Sequence, residues 1–226
     1  MKAEYDAILF DAGGVFLIPD PAVLAPTLAY YGAGSDHSLY VRAHYGAMAA
    51  KSRAGGGEAD WDDYNRAYVA LAGVPDHEVD AAAFVLQRTR HAHLWRAPLA
   101  GSVEALHVLN ERNAPIGVVS NASGQIAEIL QRSGICQVGD GVLASVRCII
   151  DSDVVGVAKP DPKIFEHALP FFEGIDRSRI AYVGDSVTMD VEGSTAAGLI
   201  PVLVDPFNDA VDLVDCRRIS SLLDLL

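Results

Sequence analysis

Asp11, Ser120, Lys159, Asp185 and Asp190 are residue types that together could hold and transfer a phosphoryl group. Asp11 follows the apolar run Ala7-Ile8-Leu9-Phe10 and precedes Gly13-Gly14, which places a carboxylate on a turn open to close backbone approach. Ser120 and Asn121 close the run Gly117-Val118-Val119, and Asp185 closes Tyr182-Val183-Gly184, with Asp190 five residues further on. Lys159 sits in the proline-stiffened loop Ala158-Lys159-Pro160-Asp161-Pro162. Singly, each has an ordinary explanation as a helix cap, a turn residue or a solvated charge. Jointly they bring carboxylates, a hydroxyl and an ammonium to one edge. Clustered carboxylates repel unless a cation lies among them. Few carboxylates beside glycine-opened backbone suit Mg²⁺, which keeps waters and takes further ligands from substrate phosphate. A serine and a lysine then hold phosphoryl oxygens by hydrogen bond and charge.

These residues need a scaffold that carries strand ends to one place. Short apolar runs predict strands at 7–10, 115–119, 179–183 and 200–204, with further short runs at 142–143 and 148–150. Helical patterns intervene at 102–113, 123–133, 162–169 and 187–197, and residues 219–226 read as a closing helix. Strands alternating with helices imply α/β architecture, a Rossmann-like parallel sheet covered on both faces. Between the first strand and the rest, Ala, Leu and Tyr recur at helical spacing over 21–31, 37–52, 61–72 and 77–95. The expected organisation is an α/β core of residues 1–18 and 97–226, with residues 19–96 inserted as a helical cap over the first strand's carboxyl end.

Composition narrows the function classes. At 226 residues and 50% hydrophobic the chain can bury a sizeable core. A formal charge of −13 argues against a general nucleic-acid binder, because a phosphate backbone needs a basic face. A small phosphorylated metabolite needs only a local site, and remains the expected partner. Cys136, Cys148 and Cys216 are odd in number and lack metal-like spacing, so free thiols in a reducing compartment are expected. The N-terminus does not read as a signal peptide, and no apolar run is long enough for a membrane span. A soluble cytoplasmic protein with no membrane partner is the expectation, with monomer and homodimer both open.

The motifs Phe10-Asp11-Ala12-Gly13-Gly14-Val15, Val118-Val119-Ser120-Asn121, Ala158-Lys159-Pro160 and Gly184-Asp185-Ser186-Val187-Thr188-Met189-Asp190 resemble, in order, those of the haloacid dehalogenase superfamily of aspartate-nucleophile hydrolases. The resemblance implies that Asp11 attacks phosphorus to form an aspartyl-phosphate, and that Ser120, Asn121 and Lys159 hold the transferred group. It also implies Mg²⁺ on Asp11, Asp185 and the main-chain carbonyl of Gly13, with Asp190 supporting the metal site.

Gly13 departs from the pattern, since family phosphatases usually carry there a second aspartate that acts as acid and base. Members that cleave carbon–halogen bonds also lack it but need no metal, and the retained Gly184-Asp185-Ser186 speaks against that alternative. Phosphonate-cleaving members use a cap lysine instead. The cap's only lysine here is Lys51, which reads as a solvated surface residue. A catalytically degenerate binding or regulatory protein is a further alternative, opposed by retention of the motif residues. The locally basic segment 87–96, with His91 and His93, reads as a solvated helix face that could also present cations to an anionic substrate.

Overall fold

The computed structural model of the chain describes residues 4–89 and 93–226. Strand β1 (Ala7–Phe10) lies inside a six-stranded sheet and is buried along its whole length. It pairs in parallel with β4 (Ile116–Ser120) on one side and β8 (Ile180–Gly184) on the other. Beyond β4 lies β7 (Ile149–Asp151), and beyond β8 lie β9 (Ile200–Val204) and β10 (Arg217–Ile219), all parallel. Phe10 is level with both Val118 and Val183, so these strands run out at one edge within a residue or two of each other. That register carries Asp11, Ser120 and Asp185 to the same edge.

The sheet is apolar on both faces because helices cover both. Ile8, Phe10 and Val118 pack with Leu106 and Leu109 of α5 (Ala100–Glu111) and Leu130 of α6 (Ile126–Arg132). Leu9, Val119 and Tyr182 pack on the opposite face with Ile164 and Phe165 of the short helix α8 (Lys163–Glu166), and with Phe172. Each such fully buried side chain contributes roughly 1.5–3 kcal/mol of apolar burial. A two-stranded parallel ribbon, β5 (Cys136–Val138) with β6 (Ala144–Val146), lies beside α6, and the short helix α7 (Ser152–Val155) follows β7.

Among the described residues, those after β1 form four α-helices, α1 (Pro21–Ala29), α2 (His37–Arg53), α3 (Asp62–Leu71) and α4 (Val79–Arg88). Asp20 and Asp36 cap the first two by accepting from the amides of Ala22 and Ser38, which satisfies otherwise orphaned donors. Leu24, Leu28, Tyr40, Tyr68, Val69 and Leu86 belong to a hydrophobic cluster of their own. A single surface helix could not bury such residues; four packed together do.

Three local expectations differ from the fold. The helical pattern predicted through residue 95 ends at Arg88, and Trp95–Pro98 forms strand β3, antiparallel to β2 (Leu17–Pro19). This ribbon carries the chain into and out of the four helices. The helix predicted over 187–197 starts as a wider turn at Val187–Val191 before α9 (Glu192–Ala196). Ile219, expected to open a closing helix, instead completes β10, and Leu222–Leu225 form one 3₁₀ turn capped by Ser221 and Asp224. Pairing with β9 outweighs helical propensity there, as tertiary context often does. Among the described residues no helix is long and apolar enough to cross a membrane.

Candidate active site

Lys159 is the centre of the site. Its ammonium is buried, donates to Asp190 Oδ1 at 2.6 Å and to Tyr182 Oη at 2.8 Å, and forms an ion pair with Asp11 Oδ2 at 3.0 Å. Tyr182 in turn donates to the Val119 carbonyl at 2.7 Å. Burial alone lowers the Lys159 pKa, but the facing carboxylates of Asp11 and Asp190 outweigh it and hold the group charged, well above the ordinary lysine value.

Asp11 sits where β1 ends, with Oδ1 accepting from the Ala12 amide at 2.7 Å. Burial drives its carboxyl up to about 7, the negative charges of Asp190 and Asp185 add to the rise, and Lys159 and a hydrogen bond from Ser120 oppose it. Asp190 arrives by the widened turn after β8, in which the Ser186 carbonyl accepts from both Asp190 and Val191 amides. Its Oδ2 accepts from the amides of Asp185 and Ser186 at 3.0 and 2.9 Å. Oxygens of Asp11, Asp185 and Asp190 lie within 4.8 Å of one another, all buried. An oxygen-only donor set, buried and with its carboxylates close together, suits a hard divalent cation such as Mg²⁺. Asp190 turns both oxygens to Lys159 and to the Asp185 and Ser186 amides, and the carboxylates that could hold such an ion are Asp11, Asp185 and Asp190.

The predicted residues therefore converge, with a difference of detail at Asn121. Its amide brackets the Lys159 backbone, accepting from Lys159 N at 2.8 Å and donating to Lys159 O at 3.0 Å, and also donates to Glu58 at 2.7 Å. It lines the cavity but is spent on holding the lysine loop. The loop after Ser120 is fixed by Asp151 at the end of β7, which accepts from the amides of Gly124 and Ile126.

Above Asp11 lies a cavity of about 310 Å³, walled by Lys51, Trp61, Trp95 and Met48 on one side and by Ser120, Ser123 and Met189 on the other. Lys51 corrects the sequence reading. It is 1% exposed, with its ammonium 3.5 Å from the centroid of the Trp61 ring. The chain after α2 folds back over the end of that helix, with Gly56 donating to the Lys51 carbonyl and Trp61 closing over the ammonium. Nothing in the local pattern signals this return.

Two further residues escape sequence reasoning. Trp95 covers Gly13, and His44 of α2 reaches Asp185, its Nε2 2.8 Å from Oδ2, while Tyr64 Oη lies 3.0 Å from its Nδ1. The neighbouring Tyr45 donates to the Gly14 carbonyl at 2.7 Å. Gly14 has φ +65°, and a Cβ there would lie 2.0 Å from Asp185 Oδ2, so only glycine fits between the turn and this pair. Of segment 87–96, Arg90 and His91 lie outside the described residues. His93 lines the cavity with Nδ1 3.3 Å from Ser123 Oγ, and Arg96 pairs with Asp20 at 3.0 Å.

Residues 5–198 match the family model of the haloacid dehalogenase-like hydrolases. The chain belongs to this family of hydrolases. The pyrimidine 5′-nucleotidase YjjG of Escherichia coli is 37% identical over 103 residues, covering 45% of this chain and 42% of that protein. A phosphoserine phosphatase of Thermus thermophilus is 31% identical over 144 residues, 63% of this chain and 53% of that protein. The chain spans about half the length of the curated relatives it matches. An HAD phosphatase from Thermococcus onnurineus superposes with a TM-score of 0.58 at 22% identity over 97% of this chain and 95% of that one. A dehalogenase captured with an intermediate gives 0.58 at 17% identity over 100% and 97%. These likenesses speak to the fold.

Proposed function

We propose that the protein is a Mg²⁺-dependent phosphatase of a small phosphorylated metabolite, working through an aspartyl-phosphate on Asp11. The observation that carries this reading is the pairing of Asp11 with the charged Lys159 at 3.0 Å, at the floor of a cavity of about 310 Å³ and beside two further buried carboxylates. Relatives named as a nucleotidase and a phosphatase support it. Asp11 is the nucleophile: one of its oxygens forms a bond to phosphorus as the bond from phosphorus to the leaving oxygen breaks. Lys159 and Ser120 hold the phosphoryl oxygens, and Tyr182 and Asp190 keep Lys159 charged and aimed. Bound Mg²⁺ supplies charge neutralisation that lets a phosphate dianion approach the carboxylates. Water then attacks phosphorus of the aspartyl-phosphate, releasing inorganic phosphate and restoring Asp11. The four helices act as a cap over the cavity, with Lys51, Trp61 and Trp95 facing substrate; a cytoplasmic setting fits the three free thiols.

The test is phosphate release from a panel of phosphate monoesters, with and without Mg²⁺, combined with acid quench to trap phosphate on Asp11. Metal-dependent release with a trapped Asp11 adduct is expected. Metal-free halide release from a haloacid, or no turnover of any ester at any Mg²⁺ concentration, would overturn it in favour of a dehalogenase or a binding protein.

A second reading has one observation in its favour, the buried Lys51 in the wall of the cavity. An amine so placed could condense with the carbonyl of an aldehyde-bearing phosphonate, releasing water, and the imine would take up the electron pair of the carbon–phosphorus bond as the phosphoryl group passes to Asp11. Borohydride in the presence of such a phosphonate would fix a covalent adduct on Lys51; an unmodified lysine excludes this reading.

A further inference from the structure

We infer that His44, supplied by the helical segment, is a positioning residue that orients Asp185 for metal binding. The inference rests on the Mg²⁺-dependent reading above. His44 and Asp185 are 141 residues apart in the chain and come from different parts of the fold, yet their side chains meet at 2.8 Å with His44 fully buried. An imidazole in such a place is held by its other nitrogen. Tyr64 Oη, 3.0 Å from Nδ1, donates to that nitrogen when Nε2 carries the hydrogen, which leaves Nε2–H to donate to Asp185 Oδ2. The ring is also boxed by the edges of Tyr45 and Trp95, each centroid 5.1 Å away.

The same hydrogen bond fixes the rotation of the Asp185 carboxylate. With Oδ2 engaged by His44, Oδ1 is the oxygen left for an ion. A carboxylate free to rotate would have to lose that freedom on binding an ion, and would do so among like charges. Outer partners of ligating groups commonly change metal affinity by ~10–100-fold when removed. The turn at Gly13-Gly14 is tied to the same helix by Tyr45, so the carbonyl of Gly14 and the carboxylate of Asp185 are both held by adjacent residues of α2. Reciprocity follows: whatever affinity the helix lends to the ion, the ion lends to the seating of the helix.

The experiment is calorimetric titration with MgCl₂ of the native protein and of His44→Ala, His44→Phe and His44→Gln, each checked for folding by circular dichroism. Phe keeps the aromatic packing and removes the donor, and so stands in for Ala if the cavity of the smaller variant prevents folding. Gln restores a donor near the position of Nε2. The expected result is a ~10–100-fold weaker Mg²⁺ dissociation constant in Ala or Phe and recovery to within about threefold of native in Gln. A residue that merely fills space would lower the unfolding temperature of the metal-free protein without changing the affinity of its folded form. Native affinity in a folded Ala or Phe variant overturns the positioning role while leaving the phosphatase reading intact. Failure of Gln to recover affinity that Ala and Phe lose also overturns it, because the donor would not be what matters. Absence of Mg²⁺ binding by the native protein overturns both.

Discussion

The ring of Trp95 stands against Gly13 so closely that a Cβ added there would lie 2.9 Å from Cζ3 and 3.1 Å from Cε3. Gly13 has no left-handed φ, so its backbone would accept any residue, and it is the indole that excludes a side chain. An aspartate at this position is thus both missing from the sequence and blocked by the fold. With no acid there, turnover should depend steeply on the leaving group, since a positioned acid contributes ~10²–10⁴-fold. Aryl and acyl phosphates are expected to react far faster than alkyl phosphates. Gly13→Asp alone should leave the dependence steep, and Gly13→Asp with Trp95→Ala should flatten it. Rates across esters of rising leaving-group pKa check this; a flat series in the native protein would mean that another group, such as His93 or Lys51, gives the proton.

Asp11→Asn should abolish turnover, on the order of 10⁴-fold or more, because no neighbouring group replaces a positioned nucleophile. Single-turnover kinetics with acid quench check this, and phosphate trapped on the variant would refute the assignment.

The same carboxyl predicts a pH dependence for the metal-free protein. Its folded pKa, raised to about 7, exceeds the ordinary aspartate value, so between the two values the folded state binds the additional proton. Stability contributed by this group is present at low pH and lost as pH rises through about 7. In chelator, the native protein's unfolding temperature should lose more on going from pH 5 to pH 8 than that of Asp11→Asn. Parallel pH curves for the two proteins would show that Asp11 carries no such linkage.

Removal of Mg²⁺ should stop phosphate release, and Asp185→Ala should do so even in excess metal, because the remaining carboxylates would repel a phosphate dianion. Titration of activity against free Mg²⁺ measures both effects. Full activity in excess chelator would rule out the metal.

Lys51→Met is expected to raise KM for anionic substrates about tenfold or more with a smaller effect on kcat, the pattern of lost uniform binding. Met keeps an apolar stem of similar length, and circular dichroism of the variant checks its folding before KM is compared. Equal KM values in native and variant protein would place Lys51 outside the substrate's reach.

Legibility from the chain alone divides along physical lines. The strands β1, β4, β8 and β9 are readable because a strand buried on both faces is an uninterrupted apolar run. The ribbon of Leu17–Pro19 with Trp95–Pro98 is not, since its two halves lie far apart in sequence and each carries a proline at its end. Asp11, Ser120 and Asp185 can be placed together because each ends or directly follows a strand that the parallel register aligns, and Lys159 and Asp190 reach the same edge through the segments that follow β7 and β8. Lys51, His44 and Trp95 act on the site through the return of one segment over another, and no local spacing encodes which face of α2 meets Asp185. Lys51 misleads because long charged side chains usually reach solvent, and here the loop after α2 closes the way out.

The widened turn between Asp185 and Asp190 bears on how this chain tolerates changes in length. The Ser186 carbonyl serves two successive amides, so the turn holds one residue more than an α-helix would. Deleting any one of Val187, Thr188 or Met189 would let the backbone close into ordinary helix and bring Asp190 one position nearer Ser186, shifting it relative to the two amides that donate to it. The carboxylate at 190 would leave the ammonium it faces and the two amides it caps, without any charged residue having been altered. An indel in this window is accordingly as severe as losing the aspartate itself, and a gap placed here when related chains are aligned carries chemical meaning.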